Sequence, residues 1–129
     1  MTSVVLDASA LPALLLAEPG AEKVAAALND ASIAAVNVAE VITFYAKLGV
    51  TRPDIEALLR PIPLRVVPID LELSYEAGML RPVTASQGLS LGDRYCLALA
   101  KREAVAALTA DRKWPQVATA AGVVVDLIR

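Results

Sequence analysis

The chain alternates between short β-branched or aliphatic runs and longer stretches whose apolar positions recur every three to four residues. Five runs of the first kind, Ser3 to Leu6, Ala31 to Val36, Leu64 to Pro68, Val105 to Thr109 and Val123 to Leu127, predict strands. The intervening periodic stretches predict helices over Ala8 to Ala17, Ala21 to Leu28, Asn37 to Leu48, Thr51 to Arg60, Leu71 to Met79, Ser90 to about Glu103, and Asp111 to Ala121. Breakers fall between them: Pro19-Gly20, Asn29-Asp30, Gly49, Pro61 and Pro63, and Gly122. Asn37, Thr51 and Asp70 stand where side-chain caps are expected, and Pro53 suits a first helical turn. Arg81 to Leu89, rich in Ser, Thr, Gly and Gln, reads as the most loop-like stretch. Strands separated by helices predict βαβ units. The expected fold is a three-layer α/β/α sandwich with a parallel sheet of about four to five strands.

Composition narrows the chemistry. The 129 residues fit a single domain spanning 1–129, and an apolar share of 57% is enough for a real core. The formal net charge is −2, so a nucleic acid would have to be met by a local basic patch. A lone Cys96 excludes a disulfide framework and fits a reducing cytosol. The early apolar run is short and contains Pro12, and no basic leader precedes it, so a cytoplasmic chain without a membrane span is expected. Histidine is absent, which removes Ser-His and Cys-His nucleophiles and the common zinc sites. Carboxylates with a hard metal remain, or lysine chemistry, or no catalysis.

Asp7 and Asp111 each follow a predicted strand and precede a predicted helix. Either could be an ordinary N-cap. Two acids at the carboxyl ends of parallel strands also share the sheet edge where open α/β folds bind ligands. Ser9 and Thr109 add hydroxyls beside them, able to hold a metal's water or simply to make turn and cap bonds; the second suits Thr109 better. Ser90-x-x-Asp93 has the form of a capping box. On a wheel of about 100° per residue, however, Asp93 lies well off the Arg94, Lys101 and Arg102 stripe and beside Cys96, Leu97 and Ala100. An acid on an apolar face needs a partner or a metal. Glu40, three residues after Asn37, reads by itself as a solvated first-turn acid.

Four segments together carry a resemblance: Leu6-Asp7-Ala8-Ser9, Asn37-Val38-Ala39-Glu40, Leu91-Gly92-Asp93-Arg94-Tyr95-Cys96-Leu97-Ala98-Leu99-Ala100, and Leu108-Thr109-Ala110-Asp111-Arg112-Lys113-Trp114. In this order and over nearly the whole chain they resemble the PIN-domain nucleases, in particular the VapC-type toxins of bacterial toxin–antitoxin pairs. The resemblance implies an endoribonuclease dependent on Mg²⁺ or Mn²⁺, and a homodimer silenced by a cognate antitoxin. It makes Asp7 and Asp93 the metal ligands, with Glu40 and Asp111 completing a catalytic set of four acids.

Four converging carboxylates would repel one another, and an oxygen-preferring divalent cation relieves that repulsion. A water activated there would attack the scissile phosphorus of RNA. Arg94 and Arg112 are the candidates for holding substrate phosphates, with Ser9 and Thr109 nearby, whereas Lys113 suits a solvated helix face. Tyr95 and Trp114 are either base platforms or packing groups, and sequence choice falls to loops such as Thr84 to Leu89. Two other readings compete. A phosphohydrolase of the haloacid dehalogenase type also begins with a strand ending in Asp, but it wants a second acid where Ser9 stands. A catalytically silent PIN-like binding module would be favoured by loss of one of the acids, and all four are present. The many Ala, Leu and Val positions offer more apolar helix surface than such a sheet covers, which suits a dimer or antitoxin interface.

Overall fold

The computed structural model describes residues 2–129. Five strands, β1 (Val4–Leu6), β2 (Ala31–Ala34), β3 (Arg65–Val67), β4 (Ala106–Thr109) and β5 (Val125–Leu127), form one sheet in the order β3-β2-β1-β4-β5, every pair parallel. The chain builds outward from β1 to β2 and β3, then crosses back to place β4 on the other side of β1. That reversal makes the carboxyl ends of β1 and β4 the topological switch point of an open sheet.

Alternation along each strand divides the core into two. Val5, Ala34 and Ala107 face one layer, with α5 (Leu71–Met79), α7 (Leu91–Glu103) and Trp114, all contributing fully or nearly buried groups. Leu6, Ile33 and Leu108, their chain neighbours, face the other layer, formed by α1 (Ala10–Leu15), α2 (Ala21–Ala27), α3 (Ala35–Lys47) and α4 (Arg52–Leu59). The side-chain period of two thus produces the expected three-layer sandwich.

Local outcomes differ from expectation at five places, one being Thr51, which precedes α4 but makes no side-chain cap bond. The first helix spans only Ala10–Leu15, because Asp7 to Ser9 turn out of the strand to build the site. The helix expected from Asn37 begins two residues earlier, at Ala35, after a strand that ends at Ala34. Asn37 is therefore no cap but a fully buried residue inside the first turn. Arg81 to Leu89 is not a loop: α6 (Arg81–Thr84) and a 3-10 turn, Ala85–Gln87, occupy it, with Pro82 in the first turn of α6 and Thr84 Oγ1 donating to Leu80 O. After Asp111 there is no continuous helix. Pro115 lacks an N–H and holds the chain in a 3-10 turn, Trp114–Gln116, before the short α8 (Ala118–Ala121).

Candidate active site

Asp7 leaves β1 at its carboxyl end, and its backbone N–H donates to Leu108 O across the β1–β4 junction. Its side chain is buried, 5% exposed, and Oδ2 accepts from Ser9 Oγ and from Thr109 Oγ1, both at 2.9 Å. Burial raises the carboxyl from its ordinary 3.8 to about 6, and the charge of Asp93 adds to the rise; the Thr109, Ser9 and Ala8 hydrogen bonds act in the opposite direction. The two hydroxyls have a second task. Ser9 Oγ accepts from Ala110 N and Thr109 Oγ1 from Asp111 N, each at 3.0 Å, so both serve as internal struts with donor and acceptor engaged. Of the two readings of these residues, the local-bonding one describes their contacts.

Asp93 stands in the first turn of α7, within the field of both Asp7 and Glu40. The capping box forms as well: Ser90 N donates to Asp93 Oδ2 at 2.9 Å, and Asp93 N to Ser90 Oγ at 3.2 Å. Cap and site thus share one carboxylate.

Glu40, half-buried on α3, approaches the same turn of α7. Its Oε1 accepts from Asn37 Nδ2 at 2.7 Å. Burial raises its pKa, the Asn37 bond lowers it, and the charge of Asp93 raises it. The Cys96 thiol, one turn into α7, is pushed well up by burial and then by the charges of Asp7, Asp93 and Glu40. One buried atom therefore lies in the field of three acids that the sequence scatters over residues 7, 40 and 93.

Asp111 sits at the exit of β4, joined to Asp7 through Thr109. Its Oδ1 accepts from Lys113 N at 2.9 Å, and Oδ2 lies 3.9 Å from Lys113 Nζ. It adjoins Asp7 through the Thr109 hydroxyl. Among the described residues no three His, Cys, Asp or Glu groups are arranged to hold an ion as they stand. Asp93 Oδ2 accepts from Ser90 N and Asp111 Oδ1 from Lys113 N, so each of these acids has one oxygen engaged locally.

The cations and aromatics fall differently from expectation. Arg94 points away from the acids: Nη1 donates to Ala77 O on α5 at 3.0 Å, bracing helix against helix. Arg112 is exposed and makes no ion pair among the described residues, so it is available to a phosphate. Trp114 is fully buried, which removes it as a base platform. Tyr95 shares a 2.8 Å hydrogen bond with Ser74 and packs against the core. Thr84 and Leu89 are buried too.

Sequence reasoning missed two residues. Asn37 Nδ2 donates to Gly92 O at 3.0 Å in addition to Glu40, and a Cβ on Gly92 would fall within 2.6 Å of the Glu40 carboxylate carbon. The Asn37-x-x-Glu40 spacing carried the signal; placing the helix start at Ala35 would have turned a cap into a side-chain bridge.

An open parallel sheet that gathers acidic side chains at its switch point defines the class: an α/β protein with a carboxylate site at the carboxyl edge. A family model described as PIN domain matches residues 4–120, and the chain belongs to the PIN domain family. No curated protein matches in sequence. Solved structures resemble it in fold. The DNA-bound VapBC of Salmonella typhimurium gives a TM-score of 0.75 at 16% identity, over 100% of both chains. VapBC2 of Rickettsia felis, bound to a DNA fragment from its promoter, gives 0.73 at 14% identity over 98% of each chain. VapC20 of Mycobacterium tuberculosis, described as a toxin that cleaves the sarcin-ricin loop, gives 0.68 at 18% identity over 81% of this chain and 87% of that one.

Proposed function

We propose that this chain is a Mg²⁺- or Mn²⁺-dependent endoribonuclease, the toxin of a toxin–antitoxin pair. The observation that carries the reading is Asp7. It is buried, held by two hydroxyls, and lies in the field of another acid, yet forms no ion pair among the described residues. A fold gains nothing in stability from an uncompensated buried carboxylate. A hard divalent cation suits the all-oxygen donor set, and Asp7 and Asp93 are the residues that would hold it. When bound, Mg²⁺ or Mn²⁺ supplies Lewis-acid polarisation of a phosphodiester and makes water more acidic.

The chain's own groups divide the remaining work. Ser9 and Thr109 fix the orientation of the Asp7 carboxylate. Glu40, whose proton affinity burial increases, orients an attacking water and takes its proton. Asp111 borders the water from the β4 side. Arg112, exposed beside Asp111, holds an RNA phosphate.

Partner binding is supported by surface apolarity. On α5, Leu71, Tyr75 and Met79 recur every fourth residue and are 73%, 63% and 73% exposed. A second, mainly apolar groove of about 600 Å³ between α3 and α4 is lined by Ile42, Ala46, Val50, Ile55 and Leu59 together with Arg52, Glu56 and Arg60. Such surfaces suit an antitoxin and a homodimer. The structural relatives from Salmonella and Rickettsia are themselves VapBC complexes. No helix among the described residues is long and apolar enough to cross a membrane, and action in the cytoplasm on RNA follows from the same proposal.

The test is cleavage of a mixed RNA pool by wild-type protein and by Asp93→Asn, with Mg²⁺ or with EDTA. The expected result is metal-dependent cleavage by wild type and a loss of at least about 100-fold in the variant. Undiminished cleavage in EDTA or in Asp93→Asn overturns the reading.

A further inference from the structure

Resting on the nuclease reading of the site, we propose that Asn37 is a positioning residue for Glu40, with Gly92 as the gap that admits the Glu40 carboxylate against α7. The geometry is that of a clip. Asn37 and Glu40 are three residues apart on α3 and therefore neighbours on one helix face. The Asn37 amide donates to Glu40 Oε1 at 2.7 Å and to Gly92 O at 3.0 Å, so one NH₂ group joins the Glu40 side chain to the backbone of α7. Asp93 is the next residue after Gly92. Fixing Glu40 against Gly92 therefore fixes it relative to Asp93.

Three further observations separate this role from packing. Asn37 is fully buried, yet its Oδ1 has no hydrogen-bond partner. A residue selected only to fill that volume would do better without an unpaired polar atom. Turning the amide over would aim its oxygen at the Glu40 carboxylate and the Gly92 carbonyl, so the two acceptors dictate its orientation. Gly92 carries no unusual backbone angle among the positive-φ glycines; its missing side chain is explained by the approach of Glu40. Residues from two helices are thus matched to the placement of one carboxylate.

The experiment compares wild type, Asn37→Leu (similar volume, no amide), Glu40→Gln and the double variant. Cleavage is measured with Mg²⁺ at saturating and limiting RNA, alongside RNA binding in EDTA. Asn37→Leu is expected to lower kcat by about 10- to 100-fold while KM and RNA affinity stay within about 3-fold. In the Glu40→Gln background the same substitution is expected to lower kcat no further. Gly92→Ala, which displaces Glu40, is expected to mimic Asn37→Leu. A kcat within 2-fold of wild type in Asn37→Leu, or an equal additional loss in the double variant, overturns the proposal.

An independent readout covers a variant that fails to fold. In isotope-labelled wild-type protein the Asn37 side-chain amide signals are expected to be shifted by the charged acceptor, and to move in Glu40→Gln; no movement overturns the contact and the role. If wild type cuts no RNA, the nuclease reading fails on that result alone, while the amide signals still decide whether Asn37 holds Glu40.

Discussion

Replacing Asp7 by Asn is expected to stabilise the metal-free protein at neutral pH while abolishing cleavage. Asn keeps the shape, and its side-chain oxygen can accept from Ser9 and Thr109 as Oδ2 of Asp7 does. What it removes is the charge. The folded-state pKa of Asp7 is about 6, against 3.8 for the ordinary group. The folded protein therefore binds this proton more tightly than the unfolded chain. The sign follows: the contribution to stability is fully present below pH ~4 and is lost as pH rises through ~6. A difference of about 2 units corresponds to about 3 kcal/mol at pH 8, an upper bound. At roughly 3–6 °C per kcal/mol for a chain of this size, Tm should rise by up to about 18 °C.

The assay is thermal or urea unfolding of both proteins in EDTA at pH 4, 6 and 8. The Asn variant should be more stable at pH 8, with the gap closing toward pH 4. Millimolar Mg²⁺ should then raise wild type and leave the variant nearly unmoved, because a ligand stabilises only the state that binds it. A variant less stable than wild type at pH 8, or a gap independent of pH, would refute the claim that Asp7 is a strained buried charge.

Other expectations follow from the same geometry. Ser9→Ala combined with Thr109→Val removes two hydrogen bonds that favour charged Asp7, so the acidic limb of the pH–rate profile should move to higher pH; an unmoved limb would detach the hydroxyls from Asp7. Trp114→Ala should destabilise by about 3–5 kcal/mol in urea titrations, whereas Trp114→Phe should leave RNA affinity unchanged, since the ring is buried. Lys23→Ala breaks a 2.6 Å pair with Asp126, but both side chains are almost half exposed, and less than about 1 kcal/mol should be lost in the same titration.

What was legible in the sequence is what repeats with a period. The five strands, their parallel pairing and the two covered faces follow from runs such as Val4-Val5-Leu6 set between amphipathic stretches. Asp7 could be placed because a strand end and a turn leave little freedom. Side-chain direction was less readable. Arg94 occupies the helical stripe assigned to it, yet its guanidinium reaches the Ala77 carbonyl, a contact set by how α5 packs on α7. Trp114 lies next to two exposed basic residues in the chain but goes inward, because Pro115 bends the backbone there. Gly92 was missed for a related reason: its bond with Asn37 joins residues 55 positions apart, and only the Asn37–Glu40 contact has a local spacing.

The same network that restrains Asp7 explains why a fourth acid, Asp111, stands beside it. Thr109 Oγ1 gives its hydrogen to Asp7 and accepts one from the backbone of Asp111; Ser9 Oγ does the same with Asp7 and Ala110. The first carboxylate thereby fixes the path of the chain leaving β4, and with it the position of the last. Such bonding assembles the exits of two adjacent strands without requiring the acids to attract one another, which they cannot do. The charge of Asp93 still raises both Asp7 and Glu40, so on the proposed reading a bound cation would relieve a repulsion the fold already carries.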